Sequence, residues 1–348
     1  MKIEQQLLAG SLLVLLGVFS SRLASRLGVP ALLLFLGLGM AAGSDGIGGI
    51  DFTDADLAQA IGVTALALIL FDGGLSTAWD DVRPIAARGA VLATVGVVLT
   101  AIVVGVAAAA ILDLPLAEGL LLGSIISSTD AAAVFAILRA RQAGLKGGIQ
   151  PTLELESGAN DPMAALLTVT MIEVVQGDGG GVLAVGAAAV LQLGLGCLLG
   201  VVSGWLACRI INWLTVGTEG LYPVLTLAAA LGTYAATTLV GGSGFIAAYV
   251  CGLYLGNHEV IHRKSIIRFH DAVAWLAQIT MFLVLGLLVF PSRLPGVAGS
   301  ALLVAAVLAF AARPISVVLC LIPFRVPWRQ QAVISWVGLR GAAPIILA

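Results

Sequence analysis

The sequence predicts an all-helical polytopic membrane protein. Of its 348 residues, 60% are hydrophobic and only 10% are charged, whereas soluble domains carry about 25% charged residues. The apolar residues form runs of about 20 without the alternation of a β-strand, which excludes a transmembrane barrel. Because lipid offers no hydrogen-bond partners to the backbone, these runs must be helices.

Twelve apolar spans follow one another along the chain. Several are short for a bilayer crossing, which needs about 20 residues. The last span is still apolar at Ala348, so we expect at least one further span beyond this sequence. The predicted spans are 5–24, 29–43, 57–76, 84–112, 117–140, 149–176, 182–213, 219–240, 243–257, 269–290, 297–322 and 330–348.

The basic residues predict the orientation of these spans. The loops on one side carry only Lys2 and Arg293. By the positive-inside rule, that side and the N-terminus face outward, and the strongly basic alternate loops are cytoplasmic. The basic residues of the alternate loops are Arg22, Arg26, Arg83, Arg88, Arg139, Arg141, Lys146, Arg209, Arg263, Lys264, Arg268, Arg325 and Arg329.

The chain also contains an internal repeat, although spans rich in Gly, Ala and Leu can resemble one another by composition alone. Repeat one covers about 5–176, a linker span covers 182–213, and repeat two covers about 219–348 and is truncated. Because the first copy has six helices and one connecting span follows it, the second copy enters the membrane from the opposite side. Such inverted repeats place a substrate site at mid-membrane. We therefore treat 1–348 as a single transmembrane domain. The matching segments are 21–46 with 237–257, 65–75 with 277–289, and 127–138 with 337–348.

The segment PTLELESGANDPMA (151–164) is the strongest candidate site, because three carboxylates and an amide precede an apolar run. On a helix, Ser157 and Asp161 are neighbours. Pro162 has no N–H, so the carbonyl of Gly158 lacks its helical donor. These are hard oxygen ligands of the kind that alkali cations prefer. The alternative is a surface helix start, where Glu is common.

Two further polar points interrupt apolar spans. Residues 127–130, SSTD, form a helix-cap signature, so a half-helix can start at Ala131 with Asp130 at its positive end. The corresponding position of the second repeat holds Arg340. A cation is favourable at the C-terminal end of a half-helix, and Arg340 could also pair with Glu156. Charge balance between two buried residues is the simpler alternative.

Five motifs together resemble the monovalent cation:proton antiporters, most closely the NhaP branch and within it the potassium/proton subgroup called CvrA. The resemblance covers essentially the whole chain. It implies thirteen helices, a core domain with two crossed broken helices at 117–140 and 330–348, and a separate dimer domain. The motifs are LILFDGGL (68–75), GSIISSTDAAAVF (123–135), ESGANDPMA (156–164), ARPISV (312–317) and GLRGAAP (338–344).

The same resemblance implies roles for individual residues. Asp161 is the essential carboxylate that binds both the cation and the proton. Asp72 matches a membrane acid of the third span, for which a helix-end position is the alternative. The remaining matches either complete or border the ion site (Asp130, Thr129 and Ser157) or support it (Asn160, Glu156 and Arg340).

The function implied is secondary active antiport rather than enzyme catalysis. Cytoplasmic K⁺, or alternatively Na⁺, exchanges for external H⁺ by alternating access at Asp161. The neutral Asn160 beside this one carboxylate favours one proton per cation, hence electroneutral exchange. The resemblance also implies a homodimer in the lipid of the bacterial inner membrane, with no cofactor, resident metal or nucleic-acid partner.

Three sequence features are compatible with other functions. His258–His262 is a literal H-E-x-x-H zinc motif, but it lies in a basic loop rather than in an apolar helix. Gly241-x-Ser243-Gly244 matches a rhomboid serine motif, for which close helix entry by small residues is the simpler explanation. A cation channel would line its pore at a symmetry axis, whereas this site lies within one chain.

Two smaller features also have structural explanations. The glycine stripe Gly196, Gly200 and Gly204 permits close helix contact, either within the chain or in a dimer. The Arg313-Pro314 pair predicts a kinked helix whose arginine snorkels or pairs.

Overall fold

The protein folds as a bundle of helices. The computed structural model describes residue 4, residue 8 and residues 10–19, 31–52, 54–129, 148–177, 182–214 and 217–338. Asp130 and Arg340 lie outside these ranges. Within them every regular element is helical, and each of the twelve predicted spans contains one helix, so the predicted fold class is confirmed. The helices are α1 Gly10–Phe19, α2 Ala31–Ala42, α3 Ala55–Ser76, α4 Arg83–Leu112, α5 Leu116–Ile125, α6 Ile149–Gln176, α7 Val182–Trp213, α8 Leu221–Leu239, α9 Gly244–Gly256, α10 Arg263–Leu288, α11 Pro291–Phe324 and α12 Trp328–Val337.

Five of these helices (α3, α4, α7, α10 and α11) are long and apolar enough to cross a membrane. Local signals set their ends. Asp54 caps α3 by accepting a hydrogen bond from the Leu57 N–H at 2.9 Å. Ser243 caps α9 in the same way, accepting from the Ile246 N–H at 3.4 Å. Such side chains satisfy N–H groups that a helix start leaves without partners.

Hydrogen bonds between loops define the two ends of the bundle. At one end, Asn257 donates to the carbonyl of Thr77 at 2.8 Å, and Asn212 donates to the carbonyl of Glu259 at 2.9 Å. We call this the basic end, because it carries Arg83, Arg209, Arg263, Arg325 and Arg329. At the opposite end, the Ser292 N–H donates to the Asp45 carboxylate at 3.1 Å.

Two pairs of helices cross at closest approach through glycine. Where α2 crosses α10, a Cβ on Gly39 would overlap the carbonyl of Leu283. Where α9 crosses α3, a Cβ on Gly252 would overlap the carbonyl of Phe71. Only glycine permits backbones to approach so closely.

The glycine stripe of α7 packs within the chain. A Cβ on Gly196 would lie 2.8 Å from the Ser243 carbonyl, and one on Gly200 would lie 2.7 Å from the Ala247 carbonyl. Both carbonyls lie on or next to α9. This contact therefore explains the small residues without a second subunit.

Helices α4 and α11 each contain one turn of π-helix, at Leu92–Gly96 and Leu308–Ala312. They contact each other through buried hydroxyls, since Thr100 Oγ1 lies 3.0 Å from Ser316 Oγ. A π-turn rotates the following residues relative to an ideal helix, and such turns are frequent at functional sites. The turn in α11 immediately precedes Arg313.

Candidate functional site

The site is built on α6, an unbroken helix of 28 residues that includes Pro162. Gly148 at φ +73° begins it and Gly177 at φ +92° ends it, both in the left-handed region that glycine adopts readily. At 1.5 Å per residue, Asp161 lies about 18 Å from the start of α6. The predicted residues therefore lie in the middle of the bundle rather than in a surface turn.

Asn160 joins α6 to the chain that follows α5. Its Nδ2 donates to the Thr129 carbonyl at 3.0 Å and to Thr129 Oγ1 at 2.6 Å. Helix α5 ends at Ile125, and Ser127, Ser128 and Thr129 are non-helical and buried. The fifth span is thus interrupted where its polar residues predict. Asp130, the next residue, is outside the described part of the chain.

Glu156 forms a buried ion pair with Arg313 of α11. Nη2 donates to Oε2 at 2.9 Å, Nη1 donates to Oε1, and the two residues are only 1% and 4% exposed. Nη2 also donates to the Ile334 carbonyl at 3.3 Å, in the last turn of α12. A guanidinium at a helix C-terminus stabilises the free carbonyls there.

Arg313 is thus a partner of Glu156 that contacts the last described turn of α12. Arg340 itself is not among the described residues. Of the two explanations offered for Arg313, the structure shows that its side chain pairs rather than snorkels. The sequence contained a signal for this pairing, because an arginine within an apolar span needs an acidic partner.

Asp161 and Ser157 lie one turn apart on the same face of α6, and both are half-exposed. Asn160 and Glu156, on the neighbouring face, are buried. Asp161 is also close enough to Tyr249 of α9 to interact with it electrostatically. Asp161 is therefore less buried than Glu156 and Asn160 on the same helix.

Asp72 belongs to a different contact. It lies within α3, one turn before the helix ends at Ser76, and its charged neighbour is Asp271 of α10. Its Oδ1 is buried and has no hydrogen-bond partner in the described part of the chain. The position one turn before the end of α3 agrees with the helix-end alternative for Asp72.

Comparison with known proteins gives the same assignment along the whole chain. Residues 11–348 match the family model described as "Sodium/hydrogen exchanger, transmembrane". The chain belongs to the sodium/hydrogen exchanger family. The resemblance to the NhaP branch is also confirmed by relatives that carry that name.

Those relatives are named K(+)/H(+) antiporters. The chain is 45% identical to NhaP of Alkalimonas amylolytica over 346 residues, covering 99% of this chain and 60% of that protein. It is 45% identical to NhaP2 of Shewanella oneidensis, covering 98% of this chain and 59% of that protein. The chain thus spans about 60% of the length of these curated relatives.

A solved member of the exchanger family shares the fold. The sodium proton antiporter MjNhaP1 from Methanocaldococcus jannaschii at pH 8 superposes with a TM-score of 0.87 at 25% identity. The superposition covers all of this chain and 85% of that structure. A second structure of MjNhaP1 gives a TM-score of 0.77 at 24% identity.

The two enzyme motifs of this exchanger chain have structural roles. His258 Nδ1 lies 2.7 Å from the Tyr254 carbonyl, whereas His262 lies 3.6 Å from Glu219. Among the described residues, no three His, Cys, Asp or Glu side chains come close enough to hold a metal. Ser243, the serine of the rhomboid-like motif, caps α9.

Proposed function

We propose that this chain is the membrane domain of a potassium/proton antiporter whose transported ions bind at Asp161. The observation that carries the proposal is the position of Asp161, which is half-buried in the middle of α6 beside the buried Asn160–Thr129 contact and the Glu156–Arg313 ion pair. The K(+)/H(+) antiporter names of the 45% identical relatives support potassium as the cation. Such a protein is a transporter and not an enzyme.

The ligands proposed for the cation are all oxygens. The Asp161 carboxylate, the Ser157 hydroxyl and the carbonyl of Gly158 that Pro162 leaves free lie within one turn of α6. Hard oxygen donors suit an alkali cation. A proton on Asp161 neutralises the carboxylate and removes its attraction for the cation, so that the two ions compete. Asp130 and Thr129 complete or border this site in the proposal.

Electroneutral exchange follows from the state of the neighbouring residues. Asn160 carries no charge and donates both its hydrogen bonds to Thr129. The charge of Glu156 is balanced by Arg313. In the proposal, Asp161 is the group that exchanges a proton for a cation, and the neutral Asn160 beside it favours one proton per cation.

Sodium is the second candidate cation. The chain is 26% identical to a probable Na(+)/H(+) antiporter of Methanocaldococcus jannaschii, and MjNhaP1 is titled a sodium proton antiporter. The oxygen ligands do not by themselves distinguish sodium from potassium. Comparing the proton flux driven by sodium with the proton flux driven by potassium decides between the two cations.

In the membrane, we propose that the basic end is cytoplasmic and the N-terminus is outside, in accord with the positive-inside rule. The protein then works as a homodimer in the bacterial inner membrane, surrounded by lipid. Alternating access moves Asp161 between the two sides.

The test is cation-driven proton flux in proteoliposomes of the full-length protein, read by dequenching of a pH-sensitive dye. Potassium and sodium are added in turn, with the membrane potential clamped or free. We expect flux that is insensitive to potential and absent in Asp161→Asn. Glu173→Gln, an exposed acid near the other end of α6, is the matched control and keeps the flux. Flux that persists in Asp161→Asn would overturn the assignment.

A further inference from the structure

Helices α4 and α11 carry the same local arrangement where they contact each other. In α4 the π-turn ends at Gly96, whose carbonyl accepts a hydrogen bond from Thr100 Oγ1 at 2.8 Å. In α11 the π-turn ends at Ala312, whose carbonyl accepts a hydrogen bond from Ser316 Oγ at 2.8 Å. Such bonds to the carbonyl four residues earlier often bend a helix. Each helix thus has a π-turn followed by a hydroxyl that is bonded to the end of that turn.

The two hydroxyls meet between the helices. Thr100 Oγ1 and Ser316 Oγ lie 3.0 Å apart, and both residues are at most 1% exposed. Because each hydroxyl has one hydrogen, one of them donates to the other while the second donates to a carbonyl of its own helix. We call Thr100 and Ser316 the hydroxyl pair. A shift of α11 along α4 would break the bond between them at a place where water cannot replace it.

Apolar contacts lie on both sides of the hydroxyl pair. On one side, Leu92 of α4 belongs to the same buried cluster as Cys320 of α11. On the other side, Val104 of α4 belongs to the same cluster as Ala312 of α11. Apolar contacts are non-directional, whereas a hydrogen bond requires a narrow range of distance and angle. The hydroxyl pair is therefore the contact that fixes the register of α11 on α4.

The hydroxyl pair is connected to the ion pair of the candidate site. Ser316 Oγ lies 3.1 Å from the carbonyl of Arg313, in the turn from which the guanidinium extends to Glu156 of α6. Helix α4 is itself bound to α6, because Arg88 Nη2 donates to the Gly148 carbonyl at 2.9 Å. Helices α4, α6 and α11 thus contact one another in a closed triangle. The hydroxyl pair sets the side of this triangle between α4 and α11.

We propose that the hydroxyl pair positions Arg313 for its ion pair with Glu156, and thereby keeps the charge of Glu156 balanced next to the ion site. The proposal rests on the proposed function, in which Asp161 of the same helix binds the transported ions. A bidentate pair between arginine and a carboxylate depends on a planar geometry. A small shift of α11 along α4 therefore weakens it. Thr100 and Ser316 are positioning residues, because they act through Arg313.

The first test compares melting temperatures in detergent. Thr100→Val removes the bond between the helices, and Ser316 can still donate to its own helix. In the background Glu156→Leu/Arg313→Met we expect a decrease of about 2 °C, the usual effect of one hydrogen bond. In the parent protein we expect at least twice that decrease, because the ion pair is then also misplaced. Equal decreases in the two backgrounds would overturn the proposal. Ser316→Ala removes the same bond from the other helix and repeats the comparison if Thr100→Val does not fold.

The second test is cation-driven proton flux in proteoliposomes of the full-length protein. Thr100→Val and Ser316→Ala are each expected to lower the flux about fivefold, the equivalent of one lost hydrogen bond. The double variant should fall no further, because both substitutions remove the same bond. Thr100→Ser keeps the hydroxyl and should keep the flux.

Thr170→Val is the matched control for this flux. Thr170 is also buried, and its hydroxyl donates to the Leu166 carbonyl of its own helix at 2.9 Å, away from the contact between α4 and α11. We expect its flux to equal that of the parent protein. Full flux in a folded Thr100→Val variant would overturn the proposal. Absence of antiport in the parent protein would instead contradict the proposed function, and the melting temperatures would still decide whether the hydroxyl pair positions Arg313.

Discussion

Arg313 binds both carboxylate oxygens of Glu156 in the interior of the bundle, and it also donates to the carbonyl of Ile334. One guanidinium thus holds together α6, α11 and the last turn of α12. Removing one partner of a buried ion pair leaves an uncompensated charge, which usually costs about 3–5 kcal/mol.

Arg313→Met is therefore expected to lower the free energy of unfolding by about 3 kcal/mol or more. Replacing both partners, as in Glu156→Leu/Arg313→Met, is expected to recover much of this loss, because no unpaired charge remains. Thermal unfolding in detergent measures the stability of the single and the double variant. A double variant that is less stable than Arg313→Met would show that the pair contributes through more than charge balance.

Gly338→Ala is expected to disrupt the same ion pair from a distance. A Cβ at this position would overlap Arg313 Nε and lie 2.9 Å from its Cζ, so the guanidinium must move away from Glu156. We expect antiport to fall at least about tenfold, the effect of losing roughly 1.4 kcal/mol of favourable positioning. Gly299→Ala, which meets nothing within 4 Å, should leave flux unchanged. Equal flux in the two variants would show that Arg313 can be displaced without consequence.

Asn160→Asp tests the electroneutral stoichiometry. The substitution replaces the two hydrogen bonds donated to Thr129 by a second carboxylate next to Asp161. We expect cation-driven flux to become sensitive to membrane potential, because an additional charge then moves with the site. Stability should also fall by about 1–3 kcal/mol, since the Thr129 oxygens lose their donor. Flux that stays insensitive to potential would show that residue 160 does not set the charge carried.

The helix crossings give a matched pair of substitutions in α2. Gly39→Ala should destabilise the protein, because its Cβ would overlap the carbonyl of Leu283. Gly37→Ala faces open space and should be neutral or stabilising by up to about 1 kcal/mol, since alanine favours helix more than glycine. Melting temperatures of the two variants test this directly. Similar temperatures would mean that α2 and α10 can separate at little cost.

Asp45 is expected to make stability pH-dependent at the end opposite the basic end. Its hydrogen bonds with Ser292 lower the pKa of the Asp45 carboxyl. A group whose pKa is lower in the folded state stabilises above its unfolded value, and this contribution disappears as pH falls through the folded value. The stability difference between the parent protein and Asp45→Asn should therefore be present above about pH 4 and vanish in stronger acid. A difference that persists in strong acid would exclude this carboxylate as its cause.

The sequence predicted the secondary structure well because lipid restricts the alternatives. Each apolar run could only be a helix, and each of the twelve predicted spans contains one. The motif residues were equally informative, since polar residues inside apolar spans are costly unless they face a partner or a cavity. This reasoning located the break after α5 and the acids of α6.

The partners of these residues could not be predicted from local pattern. Glu156 and Arg313 are separated by 157 positions, and two arginines in apolar spans were available to the same acid. The pairing of Glu156 with Arg313 depends on how α11 packs against α6 and α12. Asp72 shows the same limit, because its position in a motif did not reveal that Asp271 of α10 is its charged neighbour.

The sequence by itself determined that this is a helical membrane protein that resembles the cation:proton antiporters, and it placed the proposed ion-binding carboxylate on the sixth span. Composition, loop charge and motifs are local properties, and they suffice for those conclusions. Only the tertiary structure decided that Arg313 pairs with Glu156, and that Asn160 binds Thr129. Both depend on contacts between helices distant in sequence, where the geometry of packing rather than the identity of any one residue sets the outcome.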